Sequence, residues 1–258
     1  MSLITHHLSL LNDAIISLVR NKYLSYDEKR APKVREMFSR LAGRYDVVND
    51  VMSFGLHRVW KKQTVRLALD GRHGVIRWLD LCCGTGDLCF RAERENVRVC
   101  GADFTLPMLA VARRRKIEQR GTSRFLQADA LRLPFADGSF DVISVGYGLR
   151  NLADPERGLT EMRRVLAPGG RAVILDFGKP ENPVAGALYQ GFLYTMMPAV
   201  GWLFHGDPQT YLYIPESLKR YPGQRGVQEM MRRAGFVHAR YEEKLLGTMG
   251  INIGEAPR

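Results

Sequence analysis

Residues 79–87 read LDLCCGTGD, an apolar run that ends in the turn Gly84-Thr85-Gly86. Glycine lets a ligand approach the backbone closely, and a helix beginning just beyond it offers unpaired N–H groups. Asp103 lies 23 positions after Asp80, at the end of the next apolar run, where a carboxylate can accept two ribose hydroxyls. Asp129-Ala130 follows the third run, where an adenine edge would lie. A dinucleotide fingerprint would need glycine at Cys89, and no Walker lysine follows the glycines. The loop therefore suits a nucleoside without a pyrophosphate, a description that S-adenosylmethionine fits. The blander alternative is a tight turn with Asp103 as a helix cap, and the combined spacing weighs against it.

The cysteines invite a metal or redox reading, which their context does not support. There are 4: Cys82, Cys83, Cys89 and Cys100, and no histidine is close to them in sequence. They do not form a disulfide framework, and an adjacent pair strains disulfide geometry. Cys82 and Cys83 read as small fillers where strand becomes loop, in a reducing, cytosolic compartment, with no metal.

These residues must be positioned by alternating elements. Strands are expected at Ile76–Leu81, Val97–Asp103, Phe125–Gln127, Val142–Val145 and Ala172–Phe177, with helices near Leu88–Glu95, Leu106–Gln119 and Pro155–Leu166. Such alternation implies a parallel sheet covered on both faces, with the active face at the carboxyl ends of the strands. An apolar stretch interrupts it from about 180 to 222. A helix near Val227–Ala234 and two strand-like runs, Phe236–Glu242 and Thr248–Ile253, follow and suit an antiparallel edge. Upstream, the spacing predicts two or three helices between Lys33 and Leu69, a linker over Tyr26–Lys33 and a packing helix over residues 1 to about 28. The first residues do not read as a signal peptide, because His6 and His7 replace a basic region and Asp13 interrupts the apolar stretch. We expect two parts, a helical cap over residues 1–70 and a catalytic domain over 71–258 that carries the apolar insertion.

Lys+Arg number 38 against 27 Asp+Glu, a formal charge of +11. That balance favours an anionic partner, nucleic acid or an acidic membrane surface, without choosing between them.

Several blocks together resemble the ubiquinone/menaquinone biosynthesis C-methyltransferase family, over about Val34 to Gly254. They are FSRLAGRYDVVNDVMSFGLHRVWK at 38–61, LDLCCGTGD at 79–87, DALRLPFADGSFD at 129–141, GYGLRNL at 146–152, RVLAPGGRAVILDF at 164–177 and YLYIPESLKRYPGQ at 211–224. The first and fourth are specific; the glycine loop and the PGG turn occur across many methyltransferases. The resemblance implies a Rossmann-like class I methyltransferase: a mostly parallel seven-stranded sheet, helices on both faces and an antiparallel C-terminal edge. It implies methyl transfer from S-adenosylmethionine to a ring carbon of a polyprenylated quinol, with cofactor contacts at Thr85, Asp103, Asp129, Ala130 and Gly146, to which the turn itself adds Gly84 and Gly86. Serine is frequent in relatives at the position of Gly146, so a side-chain contact is lost there. The family often closes on an apolar-His-x-Gly run, where this chain has Asn252-Ile253-Gly254.

Methylating such a ring requires ionising its hydroxyl and aligning two reactants. Arg150 is an always-charged donor for a phenolate, Asn151 can orient a water or a quinol oxygen, and Tyr45 can bond the quinol or the methionine carboxylate. The structural alternatives are an Arg150 carboxylate pair, an Asn151 helix cap near Pro155 and a core role for Tyr45. His57 titrates near working pH, but beside Arg58 and Trp60 it reads as structural. The aromatics and methionines of 185–204 suit a polyprenyl tail, or else ordinary packing, and this stretch is a lid of marginal length for a membrane span. Arg113 to Lys116, Arg163-Arg164 and Arg232-Arg233 read as solvated helix faces that collectively attract an anionic leaflet. The expected reaction is demethylmenaquinol to menaquinol. Alternatives are methylation of a 2-polyprenyl-6-methoxy-benzoquinol and an RNA methyltransferase. The latter is disfavoured because Gly146-Tyr147-Gly148-Leu149 stands where base-methylating enzymes carry an Asn/Asp-Pro-Pro-aromatic run, so no nucleic-acid partner is expected. A cytoplasmic protein in peripheral contact with the inner face of the cell membrane is expected, and a homodimer is left open.

Overall fold

The computed structural model describes residues 30–258. The helix expected over residues 1 to about 28 lies outside the described residues, as does most of the linker.

Three helices come first: α1 (Arg30–Leu41), α2 (Tyr45–Ser53) and α3 (Leu56–Leu69). Ala31-Pro32, expected to end a linker, instead opens α1, because proline is tolerated in a first helical turn. The alternating region follows: β1 (Ile76–Leu81), α4 (Asp87–Ala92), β2 (Val97–Asp103), α5 (Leu106–Glu118), β3 (Arg124–Gln127), β4 (Phe140–Gly146), a 3₁₀ turn (Leu149–Asn151), α6 (Pro155–Val165) and β5 (Leu166–Phe177). The apolar stretch folds into α7 (Pro183–His205) and α8 (Gln209–Arg220), and α9 (Gly223–Arg233), β6 (Val237–Lys244) and β7 (Met249–Glu255) close the chain.

The strands form one seven-stranded sheet in the order β3-β2-β1-β4-β5-β7-β6. The first five are parallel, and β7 runs antiparallel to both β5 and β6. The order reverses at β1, so β1 and β4 part at their carboxyl ends and leave the crevice where ligands bind such sheets. One core cluster joins Met37, Leu41, Leu159, Met162 and Ile214 to one face of the sheet, and another joins Trp60, Val65, Leu88 and Leu109 to the opposite face.

Several boundaries differ from expectation; α9, for one, starts at Gly223 rather than near Val227. Helix α4 stops at Ala92, because Glu93 turns to accept from the Thr122 and Ser123 N–H groups and the Ser123 hydroxyl. Strand β5 starts at Leu166 and carries the PGG sequence within it, with Gly169 in the left-handed region at φ 71°.

Candidate active site

The turn after β1 builds one wall of a cleft. Cys82 takes φ 56° and Gly84 φ 54°, and nothing lies within 4 Å of where a Gly84 Cβ would stand. The space over the Gly84 backbone is therefore free for a ligand. Gly86 does a different job: at φ 83°, a Cβ there would meet Phe90 and Phe125 at 3.0 Å, so this glycine permits the loop to pack downward. A Cβ on Gly146 would meet Leu88 at 2.8 Å. Asp103, at the end of β2, accepts from the Gly84 N–H and the Thr105 N–H, each at 2.8 Å. Burial pushes its carboxyl above the usual range, against those two backbone bonds.

The cleft, with about 860 Å³ of free space including its open mouth, is lined by Gly84, Asp103, Asp129, Ala130, Gly146 and Asn151 among others. Phe104, Met108 and Leu131 add apolar surface beside the acids. This suits a flat nucleobase and a ribose whose hydroxyls need an acceptor, so the residues present fit S-adenosylmethionine. Thr85 does not line this cleft. Its hydroxyl donates to Asp46 of α2 at 2.9 Å, and Arg115 donates to the same Asp46 at 2.9 Å and to the Thr85 carbonyl at 3.1 Å. One residue of the expected solvated run Arg113 to Lys116 is thus turned inward, tying helix α2 to the glycine loop.

Cys82 lines the cleft, while Cys83 and Cys89 are buried, and all four cysteines are free. Burial pushes the Cys83 thiol up to about 11, which makes it a poor nucleophile. No cluster of metal-ligating side chains occurs among the described residues.

Behind the cleft lies a second, larger cavity of about 1370 Å³. Its walls are α2, the start of α3, and Leu188, Tyr189, Phe192, Leu193 and Met197 from α7. The stretch singled out for a polyprenyl tail therefore forms a wall of this space. Tyr45 and Tyr147 line both cavities and stand where they meet. Tyr147 takes φ 61° directly after β4, and its buried hydroxyl has no partner. Burial holds the phenols of both tyrosines well above the usual range.

Arg150 lines the second cavity and Asn151 the first. The Arg150 guanidinium donates to Asp176 at 3.0 Å, to the Tyr147 carbonyl at 2.7 Å and to the Tyr213 hydroxyl at 3.1 Å, while its Nε has no partner. Burial disfavours the charge, but Tyr213, Asp176 and Tyr45 outweigh it, so the guanidinium stays charged. Asn151 donates to the Tyr147 carbonyl at 3.1 Å, and the cap before α6 is Asp154. Beneath the glycine loop, Lys61 pairs with Asp87 at 2.8 Å. Burial opposes the Asp87 charge, yet Lys61, Arg91 and Arg115 hold its carboxyl down at about 2.

Sequence reasoning missed Asp176, Tyr213 and Asp80. Asp80 is fully buried, accepts from Ser144 at 2.6 Å and receives the Cys89 thiol at 3.3 Å. Burial pushes it up to about 7. Its place in LDLCC was visible, but nothing in the sequence shows the hydroxyl of Ser144 beside it.

The sheet order and the cleft define a class I S-adenosylmethionine-dependent methyltransferase. The ubiE/COQ5 methyltransferase family matches residues 25–255, and the chain belongs to it. Among curated relatives, demethylmenaquinone methyltransferase of Thermus thermophilus is 44% identical over 86% of this chain and 100% of its own length. The ubiquinone/menaquinone biosynthesis C-methyltransferase of Azotobacter vinelandii is 40% identical over 90% of this chain and 92% of its own. Among solved structures, a putative methyltransferase in complex with the Haloferax volcanii Trm112 activator matches with TM-score 0.61 at 20% identity, covering 86% of this chain and 98% of that one. A Haemonchus contortus phosphoethanolamine N-methyltransferase bound to S-adenosylhomocysteine matches with TM-score 0.59 at 15% identity, covering 77% and 52%. These last two show the fold alone.

Proposed function

We propose that this enzyme methylates a ring carbon of demethylmenaquinol, giving menaquinol. The single observation that carries this reading is the junction of a nucleoside-type cleft with a large apolar cavity at Tyr45 and Tyr147. An aliphatic and aromatic wall suits a polyprenyl chain, whereas a nucleic acid would call for polar base partners. The Thermus relative's name supports the naphthoquinol acceptor. The Azotobacter relative's name supports a second reading, methylation of a 2-polyprenyl-6-methoxy-benzoquinol.

S-adenosylmethionine, when bound, supplies an electrophilic methyl group on a sulfonium. In this reading Asp103 accepts from its ribose, and Asp129 and Ala130 lie against its base. Arg150, held by Asp176 and Tyr213, supplies a fixed positive charge to the quinol oxygen as it ionises. Asn151 holds the Tyr147 carbonyl and so fixes the wall between the two reactants. The apolar lining keeps water from the ring.

The second cavity opens among exposed apolar side chains, including Phe54 at 76% exposure and Leu246 at 80%. No helix among the described residues is long and apolar enough to cross a membrane. Contact of this rim with a membrane surface would let a quinol enter from the bilayer, in keeping with the basic charge of the chain.

Quinone profiling of a deletion strain by mass spectrometry tests the acceptor. Accumulated demethylmenaquinone supports the first reading, and an accumulated 6-methoxy-benzoquinol precursor supports the second. An unchanged profile contradicts both.

A further inference from the structure

His57 stands at the start of α3 and lines the second cavity, yet it is only 4% exposed. Its Nε2 lies 2.7 Å from Asp50 Oδ1. Asp50 is also clamped by Arg58, whose Nε donates to the same Oδ1 at 2.7 Å and whose Nη2 donates to Oδ2 at 2.5 Å. The Arg58 fork holds the Asp50 carboxyl well below the usual range, so Asp50 is ionised and can only accept. That fixes the histidine tautomer: the proton sits on Nε2, and Nδ1 carries the lone pair. Nδ1 is buried and has no partner. An unpaired buried acceptor costs stability, and a structural histidine would find a donor.

An acid–histidine pair that lines an acceptor cavity and keeps one ring nitrogen unpaired is a general-base arrangement. From this juxtaposition we infer that His57 is the proton acceptor of the methyl transfer and that Asp50 positions it. The inference rests on the quinol reading above. His57 Nδ1 takes the proton of the ring hydroxyl, and the O–H bonding pair stays on oxygen. Electron density moves from that oxygen through the ring to the adjacent carbon, which forms the new C–CH₃ bond. The bonding pair of the old S–CH₃ bond stays on sulfur. The ring carbon then loses its own hydrogen as a proton, the oxygen regains one, and aromaticity returns with one net proton released. Arg150 stabilises the oxyanion, and His57 receives the proton; the two tasks fall to different walls of one cavity.

The groups bearing on His57 are few. Asp50 and Asp87 favour its charged form, Lys61 one turn along α3 opposes it, and burial opposes it most, so its pKa lies below the ordinary 6.5. Arg58 acts through Asp50, while Tyr45, Tyr147, Tyr189 and Arg150 share the cavity. A base of this kind works when neutral, so the rate should fall only at a pH below the ordinary histidine value, as the imidazole takes up its proton.

The test uses the purified enzyme, radiolabelled S-adenosylmethionine and a short-tailed demethylmenaquinol kept reduced. His57→Gln should lower kcat by about 100-fold or more, with calorimetric affinity for S-adenosylmethionine unchanged. The acidic limb of its pH–rate profile should vanish, leaving a rate that rises with hydroxide. Asp50→Asn should lower kcat, because the tautomer is no longer fixed, and should move that limb to lower pH, because the carboxylate that favours the imidazolium is gone. His57→Gln at the wild-type rate, or an Asp50→Asn limb that does not move, overturns the assignment while leaving the quinol reading intact. A wild-type enzyme that methylates no quinol overturns both.

Discussion

The Arg150 guanidinium stands 3.0 Å from the Asp176 carboxylate, and the two side chains are 2% and 3% exposed. A buried pair of this kind gives little net stability, but removing one partner leaves an uncompensated charge that costs about 3–5 kcal/mol. Asp176→Ala should therefore lower the unfolding free energy by that amount in urea titration. Arg150→Ala together with Asp176→Ala should lose less than the sum of the single variants. Where Arg150→Ala remains folded, kcat should fall by about 100- to 1000-fold, as for loss of one oxyanion donor. Additive losses would show that the two charges are not coupled, and unchanged turnover in a folded Arg150→Ala protein would make the pair purely structural.

Tyr147 gives a contrasting case. Its buried hydroxyl has no partner within the protein, which costs about 1–3 kcal/mol. Tyr147→Phe should be neutral or slightly stabilising in thermal melts, by about 1 kcal/mol at most. The same change should raise KM for the quinol if the hydroxyl finds its partner there. A destabilised Tyr147→Phe protein would show that the hydroxyl is already satisfied.

Asp80 makes stability depend on pH. Its carboxyl, ordinarily at 3.8, is pushed up to about 7 by burial. The folded protein therefore binds a proton that the unfolded chain releases between about pH 4 and pH 7. This stabilising contribution is complete below about pH 4 and is lost as pH rises through 7. Asp80→Asn should flatten that part of the stability curve, since an amide stays neutral. Denaturant titrations of both proteins at pH 5 and pH 8 check it; parallel losses would place the ionised carboxylate in the native state.

The exposed rim offers a fourth test. Phe54→Glu with Leu246→Glu should reduce co-sedimentation with vesicles containing anionic lipid by about tenfold, if burying these two side chains contributes about 1.4 kcal/mol or more. Turnover on a short-tailed quinol should fall by less than sedimentation does, because these two side chains line only the mouth of the cavity. Wild-type sedimentation by the double variant would remove this rim from any membrane contact.

The sequence was informative where chemistry and local pattern coincide. Strands β1 and β2 could be read to the residue because mostly apolar runs, each with an arginine at its second position, end at a glycine loop and at Asp103. Helix α7 was not legible as a helix: it is apolar on most sides, because part packs into the core, part walls the cavity and part is exposed, so no single stripe marks it. Long-range pairings were equally hidden. Asp176 is 26 positions from Arg150 and Tyr213 is 63, and only the fold brings them together. Asp50 and His57 are just seven apart, but the turn at Phe54-Gly55 separates their helices, so helical spacing does not predict their contact.

The most direct measurement is transfer of labelled methyl from S-adenosylmethionine to demethylmenaquinol by the purified protein, with the product resolved by mass spectrometry. The wild-type protein should yield menaquinol with the new methyl on the ring carbon, and Asp103→Ala should yield none while remaining folded and losing calorimetric binding of the methyl donor. No ring-methylated product from the wild-type protein, or full activity in Asp103→Ala, would contradict the assignment of the two joined cavities to donor and quinol.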